Sequence, residues 1–215
     1  MPSSKLTGLY AITDSSMATG TDLAQQVEQA LKGGVSIVQY RDKTPDRERR
    51  REEARELLEL CRRHSACFII NDDVELAAEI GADGVHLGQD DQGISSARTR
   101  LGPAAIIGVS CYNRLELAIT AQGAGVDYVA FGRFFPSMTK PQAVQADIGL
   151  LTEAKQALQI PEVAIGGITP ENSAALIEAG ADMLAVIQGL FGQQDVRAAA
   201  EQFNQQFVQN EDSDP

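Results

Sequence analysis

Short runs rich in β-branched residues alternate along this chain with amphipathic stretches of helical spacing, and this alternation constrains the fold most. The runs are GLYAIT (8–13), SIVQYR (36–41), CFIIND (67–72), GVHLG (84–88), IIGVSC (106–111), YVAFGR (128–133), EVAIGG (162–167) and MLAVIQ (183–188). Eight strand-then-helix units in 215 residues predict an α/β fold of the TIM (β/α)8 barrel type. We expect one barrel domain over residues 1–208 and a flexible acidic tail over 209–215.

The main alternative is an open, doubly wound sheet, which also alternates strands and helices. Such a sheet binds a dinucleotide through a G-x-G-x-x-G loop after its first strand. The segment GLYAITDSSMATG contains no such loop. The barrel is therefore favoured, and barrel active sites form where the strands end.

Composition excludes several classes of partner. Acidic residues outnumber basic ones 30 to 18, giving a formal charge of −12, which argues against binding to nucleic-acid phosphates. No run approaches the length of about 18 apolar residues that a membrane-spanning helix needs, and the first residues lack a secretory signal pattern. These features predict a cytoplasmic protein that acts on small molecules, and they leave a homo-oligomer open.

The second predicted strand ends in a cluster of polar side chains. Gln39, Arg41 and Lys43 share parity, so they project to one side if the extended conformation continues. Two cations and an amide at one strand end suit a multiply charged anion such as a diphosphate. The alternative is an ordinary surface loop.

Carboxylates follow the third and fourth predicted strands. Asp72 and Asp91 are the candidate metal ligands, because neighbouring strand ends can share one Mg²⁺ ion that typically takes about one or two protein carboxylates. The competing interpretation is helix capping, a role that Asp73 and Asp90 suit equally well.

Later strand ends carry groups that suit phosphate. The loop after the sixth strand contains Arg133, Ser137, Thr139 and Lys140. Gly166 and Gly167 follow the seventh strand, where backbone N–H groups can approach a ligand. The alternatives are a solvent-exposed loop and a tight turn.

Proton-transfer chemistry is poorly supported by the sequence. The chain has only two histidines, His64 and His86, and no G-x-S-x-G motif. His86 lies near the end of the fourth predicted strand, where it is either a satisfied interior residue or a ligand contact. The pattern favours electrostatic handling of phosphate groups and a metal ion.

From about residue 6 to 207 the chain resembles the thiamine phosphate synthase family. The segments that carry the resemblance are QYRDK (39–43), INDD (70–73), GVHLGQDD (84–91), GVSCYN (108–113), FGRFFPSMTK (131–140), AIGGITPEN (164–172) and AVIQGLF (185–191). The resemblance implies a transferase of thiamine biosynthesis that joins hydroxymethylpyrimidine diphosphate to thiazole phosphate, with or without a carboxyl group, and releases diphosphate with the help of Mg²⁺.

The resemblance also implies roles for individual residues. The pyrimidine diphosphate site comprises Gln39, Arg41, Lys43, Asn71, Ser110 and Lys140. The magnesium ligands are Asp72 and Asp91. The thiazole phosphate site comprises Ser137, Thr139, Gly167 and the backbone of Ile187 and Gln188. Tyr40, Asp42 and Met138 are further expected substrate-binding residues. Arg41, Lys43, Ser110 and Lys140 are expected to act in catalysis.

Two positions depart from the common family pattern. Ser137 replaces a threonine and keeps the hydroxyl, whereas Gln188 replaces a serine and changes the side chain that follows the last strand. Three rival functions are a thiazole tautomerase of the same barrel type, a non-catalytic phosphate-ligand binding or regulatory protein, and a generic barrel phosphate isomerase or epimerase. The last requires a proton-transfer pair, and the sequence shows no convincing one. The set of Lys43, Asp72, Asp91 and Lys140 favours the synthase over the tautomerase.

Overall fold

Parallel strands close into a barrel in the computed structural model of the protein, which describes residues 6–18, 20–88, 93–136 and 144–211. Each strand pairs with the next in chain order, and the last pairs with the first. The strands are β1 Gly8–Ile12, β2 Ile37–Tyr40, β3 Cys67–Asn71, β4 Gly84–Leu87, β5 Ile106–Tyr112, β6 Tyr128–Gly132, β7 Glu162–Ile165 and β8 Met183–Val186. Every strand overlaps one predicted run, which confirms the predicted (β/α)8 barrel.

Helices surround the barrel and connect successive strands. They are α1 Gly20–Lys32, α2 Arg47–Arg63, α3 Val74–Ile80, α4 Ile94–Leu101, α5 Leu115–Gly123, α6 Gly149–Ala157, α7 Pro170–Glu178, α8 Gln188–Phe191 and α9 Val196–Glu211. Helix α9 includes the first three residues of the segment 209–215 that the sequence predicts as a tail. Residues 212–215 lie outside the described part of the chain. Within the described ranges, no helix has the length and apolarity required to cross a membrane.

The side chains of each strand alternate between two apolar layers. In β1, Tyr10 and Ile12 belong to a cluster inside the barrel, whereas Leu9 and Ala11 belong to the larger cluster between the barrel and the helices. This alternation follows from the two-residue period of an extended strand. The inner layer closes the barrel below the strand ends, so a ligand is confined to the open end above it.

The start of β7 contains a buried carboxylate, Glu162, which is 0% exposed. Both of its carboxylate oxygens lack a hydrogen-bond partner among the described residues. Burial raises the pKa of Glu162 to about 7, with a smaller opposing effect from Lys155 and a reinforcing one from Asp182. Ionisation of the folded protein at this site therefore costs free energy.

We expect Glu162→Gln to stabilise the protein more at pH 8 than at pH 5. The unfolded chain ionises near the ordinary pKa of 4.5, while the folded protein keeps its proton up to about pH 7. The contribution of Glu162 to the free energy of unfolding therefore falls as pH rises through this window, by about 3 kcal/mol at most. Urea unfolding of the variant and the wild type at both pH values measures the difference.

The exposed Glu178 in α7 supplies the control for this experiment. Glu178→Gln is expected to change the free energy of unfolding equally at both pH values. A Glu162→Gln effect that is also independent of pH would contradict the assigned ionisation.

Candidate active site

A cavity of about 540 Å³ opens at the carboxyl ends of the barrel strands. Its size is within the range of about 300–1,000 Å³ that is typical of small-molecule sites. The predicted site residues that line it are Gln39, Arg41, Lys43, Asn71, Asp72, Ser110, Gly167, Ile187 and Gln188. They come from β2, β3, β5, β7 and β8 and the residues that follow them, so closure of the barrel brings distant segments together.

The parity predicted after β2 continues beyond the strand itself. Gln39, Arg41 and Lys43 all line the cavity, although β2 ends at Tyr40. The backbone N–H of Arg41 donates to the hydroxyl of Thr13 at 2.9 Å, which holds the segment against the end of β1. Both cations therefore reach the cavity from the segment that directly follows β2.

The side chains of Tyr40 and Asp42 turn away from the cavity toward α2. The Tyr40 hydroxyl donates to Glu53 at 2.7 Å, and the Arg49 guanidinium donates to Asp42 at 2.6 Å. Although burial opposes it, hydrogen bonds from Thr44 and Arg49 hold the pKa of Asp42 below its usual value. Because alternate residues of an extended segment face opposite sides, these two side chains support the segment and do not line the cavity.

The backbone after β3 separates the two candidate roles of its carboxylates. Asp73 is the N-cap of α3, and its side chain accepts a hydrogen bond from a backbone N–H in the first turn. Asp72 has a φ of +62°, a conformation that aspartate tolerates better than most residues, and it lines the cavity. Capping is therefore the role of Asp73, and the Asp72 carboxylate remains available in the cavity.

Two cavity residues contact Asp72. The Lys43 ammonium forms an ion pair with one carboxylate oxygen, and the Asn71 amide donates to the other at 3.0 Å. The side chain of Asp72 is 21% exposed and that of Lys43 is 58% exposed. The pair is therefore accessible to a ligand from the open end of the barrel.

Arg41 also has a carboxylate beside it. Its guanidinium lies 3.8 Å from Asp14, which is in the loop after β1. Both side chains are largely buried, at 24% and 15% exposed. Asp14 thus restricts the guanidinium to the cavity side of β2 without a close hydrogen bond that a ligand has to break.

A chain of hydrogen bonds crosses the floor of the cavity. The Gln39 amide donates to the Tyr10 hydroxyl at 2.7 Å, and the hydroxyls of Tyr10 and Tyr128 are 2.8 Å apart. His86 Nδ1 lies 3.0 Å from the Tyr128 hydroxyl, and His86 Nε2 lies 2.9 Å from Ser110 Oγ. The chain therefore links β2, β1, β6, β4 and β5.

Tyr10 and Tyr128 were not predicted as site residues from the sequence. A detectable signal exists, because each is a tyrosine at an inward position of its strand, and a buried hydroxyl there needs a polar partner. The exposed Tyr112, which also lines the cavity, was missed as well. The structure places His86 within the hydrogen-bonded chain and on the cavity wall.

Residues that follow β7 and β8 also line the cavity. Gly167 has a φ of +64°, and a Cβ there would lie 2.3 Å from the Pro136 carbonyl oxygen. Ile187 and Gln188 lie at the start of the short helix α8 and also line the cavity. A side chain larger than hydrogen at Gly167 would therefore displace the loop that follows β6.

Five predicted site residues lie outside the described part of the chain. They are Asp91, Ser137, Met138, Thr139 and Lys140. Among the described residues, Asp72 is the carboxylate that lines the cavity, and they contain no group of three or more potential metal ligands. One accessible carboxylate still fits Mg²⁺, because that ion usually keeps water and substrate phosphate as its other ligands.

Comparison with known proteins identifies close relatives. Residues 9–190 match the sequence profile of the family described as thiamine monophosphate synthase. The thiamine-phosphate synthase of Nitrosococcus oceani is 57% identical over 95% of this chain and 94% of its own length. That of Thioalkalivibrio sulfidiphilus is 52% identical over 94% and 96%. The solved structure of thiamine phosphate pyrophosphorylase from Pyrococcus furiosus superimposes with a TM-score of 0.85 at 35% identity, covering 95% of this chain and 96% of that one.

Proposed function

This chain belongs to the thiamine monophosphate synthase family, and we propose from that membership and from its cavity residues that it is a thiamine-phosphate synthase. The proposed reaction joins hydroxymethylpyrimidine diphosphate to thiazole phosphate and yields thiamine phosphate and diphosphate. Both substrates are small, charged molecules, which supports the cytoplasm as the proposed place of action.

One observation carries the proposal most directly. Arg41 and Lys43, which follow β2, present two cations to the same cavity that Gly167 and the Ile187–Gln188 segment line after β7 and β8. The cationic side suits the diphosphate, because guanidinium and ammonium groups bind multiply charged oxyanions strongly. The backbone side suits the single phosphate of the thiazole, at the position where barrels of this type commonly bind phosphate.

The residues that line the cavity support a substitution in which diphosphate leaves early. The electron-rich aminopyrimidine shares the positive charge that develops at its exocyclic methylene carbon. Arg41 and Lys43 stabilise the negative charge that grows on the departing oxygen. The thiazole nitrogen attacks the methylene carbon with its lone pair and loses no proton, so the reaction requires no general base.

Asp72 is the described residue that would hold the proposed Mg²⁺ ion, together with Asp91, which lies outside the described residues. When bound, the ion supplies electrostatic stabilisation to the diphosphate leaving group. Lys43 contacts Asp72 in the structure and keeps the carboxylate oriented toward the cavity. The same ammonium is close enough to the carboxylate to bind a diphosphate oxygen beside it.

A direct assay tests the proposed function. The purified protein is incubated with both substrates and Mg²⁺, and thiamine phosphate and diphosphate are quantified as the two products. Omission of each component in turn distinguishes the rivals: a tautomerase would convert the carboxylated thiazole phosphate alone, and a binding protein would form no product. Absence of both products from the complete mixture would overturn the proposal.

We expect Gln188→Ser to change the KM for thiazole phosphate more than the KM for the pyrimidine diphosphate. Gln188 begins α8 beside Ile187 and lines the cavity after β8, whereas Arg41 and Lys43 follow β2. The substitution adds a short hydroxyl next to backbone N–H groups, so it acts at the single phosphate. Initial rates with each substrate varied in turn measure the two constants. A larger change for the diphosphate substrate would place Gln188 in the other half of the site.

A further inference from the structure

The hydrogen-bonded chain on the cavity floor has a definite direction. The Gln39 amide nitrogen carries only donors, so it cannot accept the proton of the Tyr10 hydroxyl. Tyr10 is 1% exposed and Tyr128 is 0% exposed, and hydroxyls this deeply buried are normally satisfied. The Tyr10 proton is therefore directed to the Tyr128 oxygen, which is its other polar neighbour at 2.8 Å.

The hydrogen bond between Tyr128 and His86 has the same donor-to-acceptor direction. Since the Tyr128 oxygen accepts from Tyr10, the Tyr128 proton is directed to His86 Nδ1 at 3.0 Å. A neutral imidazole that accepts at Nδ1 carries its proton on Nε2. Nε2–H then donates to Ser110 Oγ at 2.9 Å, and the Ser110 hydroxyl keeps its own proton for an acceptor in the cavity.

Packing keeps the rings of this chain in place. The rings of Tyr10 and Tyr128 meet edge to face with centroids 6.0 Å apart, and the rings of His86 and Tyr128 stack at 5.6 Å. Gly108 in β5 makes room for the Tyr128 ring, because a Cβ at that position would lie 1.9 Å from the ring. Burial raises the pKa of both phenols, so each keeps the proton that the chain requires.

We propose that Tyr10 and Tyr128 are positioning residues that fix His86 as the neutral Nε2–H tautomer and thereby make Ser110 a hydrogen-bond donor to the bound substrate. The catalytic part of this inference rests on the proposed synthase function. A donor at Ser110 suits this substrate, because diphosphate oxygens and pyrimidine ring nitrogens are acceptors. At the other end of the chain, Gln39 keeps its carbonyl oxygen as an acceptor.

The opposite direction has a distinct consequence. If the Gln39 amide is reversed, its oxygen accepts from Tyr10, each later proton reverses, and Ser110 has to donate its proton to His86 Nε2. Ser110 would then present only lone pairs to the cavity, which repel the same substrate atoms. The tautomer of His86 therefore reports the direction of the whole chain.

Nuclear magnetic resonance of the ¹⁵N-histidine-labelled protein tests the tautomer without substrate. The protein has only two histidines, so a His64→Gln variant assigns the spectrum. We expect His86 to carry one proton, on Nε2, and Tyr128→Phe to convert it to a mixture of tautomers. A wild-type ring protonated at Nδ1 or at both nitrogens near neutral pH would overturn the proposal, whatever the enzyme assay shows.

A double-mutant cycle tests the effect on Ser110. We expect Tyr128→Phe to lower kcat/KM about tenfold, which is the effect of one misdirected hydrogen bond of about 1.4 kcal/mol. In a Ser110→Ala background the same change should cause little further loss, because the donor is already absent. Tyr10→Phe should behave in the same way.

Tyr40→Phe provides the matched control for the cycle. It removes an equally buried phenol hydrogen bond, to Glu53, on the opposite side of β2. The fold losses in kcat/KM caused by Tyr40→Phe and by Ser110→Ala should multiply in the double variant. If the fold loss in kcat/KM caused by Tyr128→Phe is as large in the Ser110→Ala background as in the wild type, then the hydrogen-bonded chain does not act through Ser110 and the proposal fails.

Discussion

Asp72→Asn is expected to lower kcat about a hundredfold or more, because the variant removes the charge that would hold Mg²⁺ against the leaving diphosphate. Asparagine has nearly the same shape and also tolerates the left-handed backbone at this position, where φ is +62°. The substitution therefore tests the charge and leaves the fold intact. Steady-state rates across a series of Mg²⁺ concentrations should also show a higher requirement for the ion.

The neighbouring carboxylate supplies a matched control. Asp73→Asn removes the same charge one residue later, at the N-cap of α3, where asparagine caps a helix as well as aspartate does. We expect this variant to keep a turnover close to that of the wild type. Near-normal turnover of Asp72→Asn at saturating Mg²⁺ would reject Asp72 as a metal ligand.

Arg41→Met is the second change with a large expected effect. We expect kcat/KM for the pyrimidine diphosphate to fall about a hundredfold, because the variant loses the guanidinium that we propose stabilises the developing oxyanion. Methionine retains much of the apolar stem that packs beneath the charge. The KM for thiazole phosphate should change little, since Arg41 follows β2 and the residues proposed to bind that phosphate follow β7 and β8.

An arginine far from the cavity controls for the loss of positive charge. Arg197 in α9 forms an exposed i,i+4 pair with Glu201, and such pairs contribute little to stability. Arg197→Met should leave both kinetic constants unchanged. Equal changes in the KM values for the two substrates in Arg41→Met would show that the guanidinium does not act selectively on the diphosphate.

The variants at Asp72, Arg41 and Tyr128 test different kinds of interaction. In the proposed mechanism, Asp72 and Arg41 act through full charges on a multiply charged leaving group, whereas Tyr128 acts only through the direction of a neutral hydrogen bond. Charge-assisted interactions are about twice as strong as neutral ones. The expected order of losses in kcat/KM therefore follows from the type of contact.

The side-chain directions after β2 were predictable from the sequence because they depend on local backbone geometry. Residues two apart in an extended segment face the same side, so Gln39, Arg41 and Lys43 had to share a wall. The same rule directs the side chains of Tyr40 and Asp42 away from the cavity, toward α2.

The roles after β3 were not predictable from the sequence. Asp72 and Asp73 are adjacent carboxylates that both suit a helix cap, and the pattern leaves the choice open. The structure separates them, because the left-handed backbone at Asp72 directs one carboxylate into the cavity and leaves the next at the helix end. This conformation depends on hydrogen bonds such as that from the Asp72 N–H to the His86 carbonyl oxygen at 2.9 Å.

The sequence by itself determined the barrel, the end of the barrel at which the chemistry lies, and the charges available there. These features follow from hydrophobic periodicity and from residue types at strand ends, which are local properties of the chain. Only the tertiary structure decided which side chains meet across the barrel, above all the contact of Tyr10 with Tyr128, 118 residues apart. Closure of the sheet and the inward direction of each strand position set such contacts, and neither is encoded within a single segment.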